Sequence, residues 1–406
     1  MALILGLNSG SSFDGIDAVL AETDIADDGH PTRPRFIEGY THKWPARVEA
    51  LVQKAFVNQL SIFELTRLNY IAGACYAEAA RTLLRQTGTR PEDVTVIGYD
   101  GQTIYQEPPD HARMHAVDPA SEDLVGRWLD GPYPCGLQIG ESSVVACHTD
   151  IDVVSHFRAA DHAFGGTGAP LMQYLDYVAF RNERPMLTLN IGGIANFQLA
   201  NADRRKMMAF DTGPGCVMVD HTARRLFDRA YDPDGSIAAS GKIDAEMMAD
   251  LLSHPYFKRP PPRSAWKLDF GAAYCDGMID KWAALAKEDI MATFAAFTAK
   301  SIAIALRDYI PDLGGIDLVA ASGGGTRNKT LMGFIANELP DALRLTTTDE
   351  FGIPAQFKEA IKFATLAFAA VNHVANNIPA CSGASRYTVM GRLALAPRRT
   401  RGAGPL

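Results

Sequence analysis

A short polar turn between two apolar runs opens the chain and restricts its fold more than any other feature. Residues 5–20 read LGLNSGSSFDGIDAVL, in which SGSSFDG separates two segments with the composition of β-strands. Asp-Gly between apolar runs is among the strongest short-range signals for a β-hairpin. Residues 2–7 and 16–22 are therefore predicted to pair as strands across this turn.

The second half of the chain begins with a hairpin of the same kind. LTLNIGG (187–193) and IANFQLA (194–200) are predicted to form it, MMAFDTGPG (207–215) to be a strand that enters a helix, and IDLVAASGGG (316–325) to be a buried strand. Apolar residues that recur three to five apart near 290–308 predict a long amphipathic helix. Strands alternating with helices are typical of an α/β protein.

Length and repetition together predict two α/β domains. A chain of 406 residues is too long for one ordinary hydrophobic core. The first half adds a helical pattern at 62–86 and strands at 94–98 and 151–157, so both halves carry a hairpin, further strands and helices. The charged segment RNERP interrupts this pattern, and we place the domains at 1–180 and 181–406.

Composition excludes several classes of function. A net charge of -8 and an isoelectric point near 5.7 argue against a surface for nucleic acid or anionic membrane. The first residues lack the basic region and cleavage site of a signal peptide, and no run of 18 apolar residues is present. Six scattered cysteines without a C-x-x-C pair are typical of a reduced, cytoplasmic protein.

Three glycine-rich turns and a fourth glycine cluster are candidates for nucleotide binding. Glycine lets successive backbone N–H groups point into one concavity, and such a nest binds phosphate. Taken alone, each is more simply an ordinary hairpin or strand-to-helix turn, but their number favours a nucleotide site. They are Ser9-Gly10-Ser11-Ser12 closed by Asp14-Gly15, then Asn190-Ile191-Gly192-Gly193, Asp211-Thr212-Gly213-Pro214-Gly215 and Ser322-Gly323-Gly324-Gly325.

The common nucleotide fingerprints are missing from the sequence. It contains no G-x-x-x-x-G-K-[ST], and no G-x-G-x-x-G joins the first strand to a helix, which argues against an NAD enzyme. The remaining hypothesis is a site made from two opposed hairpins, one from each domain, with a triphosphate between them.

Seven segments in the same order resemble the anhydro-N-acetylmuramic acid kinases and the related levoglucosan kinases. They are LGLNSGSSFDGIDAVL, GYDGQTI (98–104), LQIGESSVV (137–145), FRAADHAFGGTGAPL (157–171), NIGGIANF (190–197), FDTGPG (210–215) and KEAIKFA (358–364). The resemblance covers nearly the full chain. It implies an α/β protein with two ribonuclease-H-like domains of the actin/hexokinase-like ATPase fold and a central nucleotide cleft that takes ATP, Mg²⁺ and a sugar.

The resemblance assigns the glycine-rich turns to ATP. Phosphate binding falls to Ser9, Gly10, Ser11, Ser12, Asp14 and Gly15 in the first domain and to Asn190, Gly192, Gly193, Asp211, Thr212, Gly213 and Gly215 in the second. Adenosine is expected at Gly323, Gly324, Gly325 and Asn328. Asp14 and Asp211 are the expected Mg²⁺ ligands, although an Asp in a turn also accepts hydrogen bonds from its own backbone.

Asp161 is the predicted catalytic base. In the family the matching Asp is thought to activate a water that attacks the anomeric carbon, which opens the 1,6-anhydro bridge while O6 takes the γ-phosphoryl group. Glu359 is predicted to be a second acidic group near the substrate. The structural alternatives are an Asp that caps the following turn and an exposed Glu in a first helical turn.

The predicted sugar-binding residues depart from the family pattern more than the phosphate-binding ones. They are Asp100, Gln102, Arg158, Thr167, Trp266 and Lys267. The family usually has His at position 100 and Gln at position 167, and Arg158 also suits an ion pair with an acid. A stretch with five prolines, residues 105–136, is predicted to be a surface insertion beside this region.

The predicted function is therefore an ATP-dependent kinase that phosphorylates a 1,6-anhydrosugar with hydrolytic opening of the bridge. The alternatives are a kinase of the same fold for a non-anhydro sugar or a polyol, and a non-catalytic ATP-binding protein. The expected partner is a small sugar, with neither nucleic acid nor membrane, and a homodimer is allowed.

Overall fold

The chain folds into two compact units that differ from the predicted domains at the C-terminal end. The computed structural model describes residues 1–10, 13, 15–107, 109, 123–129, 131, 133–183, 185–261, 263–265, 267–310 and 313–397. Unit 1 comprises Met1–Ala179 and Glu359–Leu406, and unit 2 comprises Phe180–Lys358. Residues 359–406 thus belong to the first unit and not, as predicted, to the second.

The elements in chain order carry the labels used below. The strands are β1 Ala2–Asn8, β2 Ile16–Thr23, β3 Arg35–His42, β4 Val94–Gly98, β5 Gln102–Glu107, β6 Cys135–Ile139, β7 Val153–Ser155, β8 Met186–Ile191, β9 Ile194–Ala200, β10 Met208–Pro214, β11 Leu318–Ser322, β12 Arg344–Thr347 and β13 Arg392–Ala394. The α-helices are α1 Ala46–Phe56, α2 Ile62–Thr87, α3 Leu124–Leu129, α4 Ser142–Thr149, α5 Arg158–Ala163, α6 Met172–Phe180, α7 Val217–Phe227, α8 Ser236–Ser240, α9 Ala245–Leu252, α10 Lys267–Phe270, α11 Ala272–Lys281, α12 Lys287–Tyr309, α13 Lys329–Glu338, α14 Lys358–Val371 and α15 Pro379–Ser382.

The two main sheets share one strand arrangement. In unit 1 the order is β13-β7-β4-β1-β2-β3, and in unit 2 it is β10-β9-β8-β11-β12. In each unit three strands form an antiparallel meander, β1-β2-β3 or β8-β9-β10, and two further strands run parallel to the first one. This is the ribonuclease-H-like arrangement, so the predicted fold class and its duplication are confirmed.

The hairpins form where the sequence predicts them. Ala2 to Asn8 pair in continuous antiparallel register with Thr23 to Asp17, across the first polar turn. Half of the predicted proline-rich insertion lies outside the described residues. Its two flanks, β5 and β6, pair with each other as a separate two-stranded sheet.

Helix α2 is the long helix that covers one face of the first sheet. Its start is fixed by a capping box, in which the Ser61 hydroxyl accepts from the Glu64 N–H at 3.3 Å and the Glu64 carboxylate accepts from the Ser61 N–H at 2.8 Å. It ends at Gly88 in the left-handed conformation. Gly73 allows α4 to approach, because a Cβ there would lie 2.7 Å from the Glu141 carbonyl oxygen.

Two glycines in the central strands of unit 1 explain why residues 359–406 pack on that unit. A Cβ at Gly6 would lie 2.0 Å from the Ala360 carbonyl oxygen, and one at Gly98 would lie 2.0 Å from the Phe363 carbonyl oxygen. Helix α14 therefore packs directly on β1 and β4, and β13 then adds to the sheet beside β7. Nothing local in residues 358–394 signals this long-range packing.

Helix α12 is buried on nearly all sides, which corrects the predicted amphipathic character. Every residue from Ile290 to Ala299 is buried, and the helix packs against α8, α13 and β10 of unit 2. The helix is long enough to span a membrane, and an 18-residue stretch of it has a mean hydropathy of 1.4. However, 78% of that stretch is buried within the protein. A core helix has the same composition for a different reason, since all of its faces contact protein.

Gly98→Ala is expected to destabilise the protein by about 3 kcal/mol or more, because the added methyl group would overlap a backbone carbonyl that cannot move alone. Urea unfolding followed by circular dichroism measures the effect. Gly277→Ala in α11 is the matched control, since a Cβ there meets no atom within 4 Å, and it is expected to be neutral or stabilising. Equal stability of the two variants would contradict the close packing of α14.

Candidate active site

Three glycine segments of unit 2 come together at one end of its sheet. The N–H groups of Gly215 and Cys216 donate to the carbonyl oxygens of Gly193 and Gly192, both at 2.8 Å, which ties the β8–β9 turn to the start of α7. A Cβ at Gly215 would lie 2.3 Å from the Gly192 carbonyl oxygen, so only glycine fits there. The predicted second phosphate turn is thus a compact backbone cluster.

The fourth glycine cluster packs against the same strand end. Gly323 has a φ of +89°, and a Cβ there would lie 2.6 Å from the Ile191 carbonyl oxygen. A Cβ at Gly325 would lie 2.3 Å from the Ile191 side chain, and Gly324 begins a 3-10 turn with no atom near its Cβ position. The predicted phosphate and adenosine segments of unit 2 therefore lie side by side.

The polar side chains of this cluster mostly bond to protein. The Thr212 hydroxyl donates to the Ala195 carbonyl at 3.1 Å, and the Asn328 side-chain oxygen accepts from the Leu331 N–H at 2.9 Å as the N-cap of α13. The Ser322 hydroxyl donates to Asn190 at 3.3 Å. Gly213, with a φ of +150°, faces Ser301. These side chains hold the cluster in shape, while a contact with adenosine stays a prediction for Asn328.

Asp211 lies in the middle of β10 and is half-buried. One carboxylate oxygen accepts from the Ala265 N–H at 2.7 Å, and its own carbonyl oxygen accepts from the Tyr256 hydroxyl at 2.6 Å and from Arg263 Nε at 3.0 Å. Burial raises the pKa of Asp211 to about 7, although the Ala265 bond and the nearby Arg263 charge oppose the shift. A perturbed carboxylate beside a glycine nest is a candidate functional group.

Arg263 is the basic side chain beside Asp211, and it was not predicted from the sequence. Its guanidinium lies 4.8 Å from the centre of the Tyr256 ring and 4.9 Å from that of Tyr309. Lys267 begins helix α10, and Trp266 lies outside the described residues. The signal that could have identified Arg263 is its place in the segment PPPRSAWKLDFG, from which only Trp266 and Lys267 were predicted as sugar-binding residues.

The first polar turn is anchored by side chains behind it. The Ser9 hydroxyl donates to Gln102 at 2.8 Å and accepts from the Trp44 indole N–H at 3.2 Å. Phe13, whose N–H donates to the Gly10 carbonyl, stacks on Trp44 with ring centres 4.7 Å apart. Ser11, Ser12 and Asp14 lie outside the described residues, and a Cβ at Gly15 would lie 2.4 Å from the Thr41 methyl group.

Asp100 and Arg158 form a buried ion pair, which is the alternative considered for Arg158. The Asp100 carboxylate accepts from Arg158 Nε at 2.6 Å and from the Phe157 N–H at 2.9 Å. The guanidinium also donates to the Gly168 carbonyl at 3.0 Å. Both side chains are thus engaged with protein and hold the 165–168 loop, and a direct contact with the sugar stays a prediction for each.

Asp161 lies in α5 with both carboxylate oxygens bound. One oxygen accepts from Asn377 Nδ2 at 3.1 Å and from the Ser382 hydroxyl at 2.9 Å, and the other accepts from the Gly168 N–H at 3.0 Å. A Cβ at Gly166 would lie 2.1 Å from this carboxylate. Asn377 and Ser382 were missed from sequence, since more than 200 residues separate them from Asp161.

A hydrogen-bonded group surrounds the loop after Asp161. The Gln106 amide donates to the Thr167 carbonyl and to His162 Nε2, each at 3.0 Å. The Thr167 hydroxyl donates to the Ala169 carbonyl at 2.7 Å. Burial, together with the charge of Arg158, lowers the pKa of His162, so the imidazole is neutral near pH 7. The loop is therefore fixed by contacts on both sides.

Glu359 begins the returning segment of unit 1. It lies in the first turn of α14, and its carboxylate is 4.0 Å from the Lys362 ammonium, whose chain packs over Phe363. Its role near a substrate stays a prediction. Among the described residues no group of three His, Cys, Asp or Glu side chains is placed to hold a metal ion.

Two ribonuclease-H-like units, each with a glycine-rich hairpin, define a protein of the actin/hexokinase-like ATPase class. The family model for anhydro-N-acetylmuramic acid kinase matches residues 2–396. The anhydro-N-acetylmuramic acid kinase of Clostridioides difficile (strain 630) is 34% identical over 399 residues, which cover 97% of this chain and 98% of that relative. The one of Salinibacter ruber is 35% identical over 399 residues, 97% of this chain and 96% of the relative.

The chain belongs to the anhydro-N-acetylmuramic acid kinase family. The predicted family and the predicted enzyme class, an ATP-dependent anhydrosugar kinase, are confirmed. Among solved structures, the activator of the 2-hydroxyisocaproyl-CoA dehydratase from Clostridium difficile with bound ADPNP is similar at a TM-score of 0.40 and 13% identity, covering 90% of this chain and 94% of that one.

Proposed function

We propose that this kinase acts on anhydro-N-acetylmuramic acid, opening its 1,6-anhydro bridge with water and transferring the γ-phosphoryl group of ATP to O6. The observation that carries the proposal is the Asp161 carboxylate, which is buried and held by three donors in a chain of this family. A carboxylate with a fixed orientation and little water around it suits a general base.

Asp161 is the proposed base for the attacking water. It takes a proton from water as the oxygen bonds to the anomeric carbon, the bond from that carbon to O6 breaks, and O6 bonds to the γ-phosphorus as ADP leaves. Glu359, at the start of α14, is the proposed second acid. The Gly168 N–H and the side chains of Asn377 and Ser382 keep Asp161 oriented throughout.

The glycine cluster of unit 2 is the proposed ATP site. The turns at 192–193, 213–215 and 323–325 carry no bulky side chains at their glycines, which lets phosphate approach the backbone closely. The N–H groups of Gly192, Gly215 and Gly323 already donate to carbonyl oxygens, so the remaining N–H groups of the turns are the proposed donors. In unit 1 the described members of the proposed site are Ser9, Gly10 and Gly15, and Ser11, Ser12 and Asp14 complete it.

Asp211 is the proposed ligand of Mg²⁺, with Asp14 as the second. Asp211 suits a metal ligand, because a nearby cation stabilises the charged form of a carboxylate that is shielded from water. When bound with ATP, Mg²⁺ neutralises phosphate charge during transfer. A cytoplasmic location is proposed because all six cysteines are free thiols.

A substrate panel tests the proposed function. Purified protein is incubated with Mg²⁺-ATP and one of four compounds: anhydro-N-acetylmuramic acid, levoglucosan, glucose or glycerol. A coupled assay follows ADP release, and mass spectrometry measures the product masses. The expected product gains one phosphoryl group and one water, because bridge opening consumes water. Phosphorylation without added water identifies a kinase for ordinary hydroxyl groups, and ATP turnover with none of the four contradicts the proposal.

A further inference from the structure

A cavity of about 400 Å³ lies in unit 1 between α2, β6, α5 and β13. It is distinct from the surroundings of the Asp161 carboxylate, because Gly168, Asn377 and Ser382 do not line it. Its volume is within the range of small-molecule sites. We call it the Arg392 pocket.

The Arg392 pocket carries two opposite charges that are not paired. Arg392 on β13 and Glu141 before α4 both line the cavity. In the part of the chain that the structure describes, neither makes an ion pair, with the other or with a third residue. Glu141 accepts from Asn69 Nδ2 at 3.2 Å and from the Ser143 N–H at 3.2 Å, which fixes its orientation and leaves lone pairs for a ligand.

Two histidines line the cavity, and both are already hydrogen-bonded to protein. His162 is 4% exposed; its Nε2 lies 3.0 Å from the Gln106 amide nitrogen, and the ring also bonds to the Thr167 backbone. The other histidine of the lining, His156, is already bonded at both nitrogens, to Ser155 and to the Gln138 carbonyl.

Apolar side chains complete the lining. Leu65 of α2 and Leu137 and Ile139 of β6 face the same cavity. One cation, one anion and an apolar wall together match a molecule that carries a carboxylate, an ammonium group and an apolar side chain. A ligand with only a negative charge would be repelled by the Glu141 carboxylate, and a ligand with only a positive charge would leave Arg392 without a partner.

We propose that the Arg392 pocket binds a small zwitterion, an amino acid or dipeptide with an apolar side chain. Its carboxylate pairs with Arg392, and its ammonium group donates to Glu141. The pocket is separate from the proposed sugar and ATP sites, so it goes beyond the kinase reaction and its test needs no turnover.

Calorimetric titration of the full-length protein tests the proposal with L-leucine, glycyl-L-leucine, 4-methylpentanoate and 3-methylbutylamine. The last two keep the apolar chain of leucine but lack its ammonium group or its carboxylate. At least one zwitterion is expected to bind with a Kd of about 1 mM or below, and each analogue about tenfold more weakly. Binding of 4-methylpentanoate as tightly as leucine, or no binding of either zwitterion up to about 10 mM, overturns the proposal.

Two variants locate the site. Arg392→Gln is expected to weaken the zwitterion about tenfold but to leave 3-methylbutylamine unchanged, because that analogue lacks the group that Arg392 binds. Glu141→Gln is also expected to weaken the zwitterion about tenfold, but to leave 4-methylpentanoate unchanged, because that analogue lacks the ammonium group that Glu141 binds. Arg47→Gln, on the exposed side of α1, is the matched control. If Glu141→Gln lowers the melting temperature, only the binding data of Arg392→Gln are used to locate the site. Equal zwitterion binding by wild type and Arg392→Gln overturns the assignment.

Discussion

Asp161→Asn is expected to lower kcat by about 10² to 10⁴, the range that a general base contributes, while ATP binding is retained. The variant should fold, because an Asn oxygen in the Oδ1 position still accepts from Asn377 and Ser382, and only the Gly168 N–H loses its acceptor. Steady-state kinetics with anhydro-N-acetylmuramic acid and a fluorescent ATP analogue measure the two properties.

Two further variants separate chemistry from positioning at Asp161. Ser382→Ala removes one of the three donors and is expected to reduce kcat less than Asp161→Asn does, since the carboxylate itself remains. Asp27→Asn, an exposed position of unit 1, should leave kcat unchanged. Full turnover by Asp161→Asn would remove Asp161 from the reaction.

Asp211→Asn is expected to stabilise unit 2 while it abolishes turnover. Burial destabilises the charged form of Asp211 in the folded protein, so its pKa rises to about 7 from about 3.9 in the unfolded chain. The neutral amide keeps the bond from the Ala265 N–H through its oxygen and avoids that cost. At pH 8 the gain is expected to be about 1–2 kcal/mol.

The gain depends on pH with a definite sign. Between the two pKa values the folded state binds more protons than the unfolded state, so wild-type stability falls as pH rises from about 4 to about 7. The advantage of the variant should therefore be smallest near pH 4 and level off above pH 7. Urea unfolding at several pH values measures it, with the exposed Asp341→Asn as control. A constant difference across this range would contradict the raised pKa of Asp211.

Sequence was a good guide wherever the information is local. The hairpin over 2–23, the hairpin over 186–200 and the strand that enters α7 were all predicted near their observed bounds, because turn residues and apolar runs act within a few positions. The repeated sheet followed from the same signals. Seven collinear segments then identified the family, which the comparison with its members confirmed.

Sequence failed where distant residues decide the outcome. The assignment of residues 359–406 to the second domain was wrong because α14 packs on Gly6 and Gly98, which lie far away along the chain. The acid that pairs with Arg158 could not be identified for a similar reason, since Asp100 lies 58 residues away along the chain.

The return of the last segment to the first sheet also fixes the order of events during synthesis. Residues 180–358 form a complete unit and can fold while the ribosome is still translating, whereas β13 and the donors Asn377 and Ser382 emerge only near the end. Unit 1 therefore completes its sheet only after unit 2 has been synthesised, whereas domains usually fold in order from the N-terminus. An unfinished chain exposes an open sheet edge at β7 and is a natural client for chaperones.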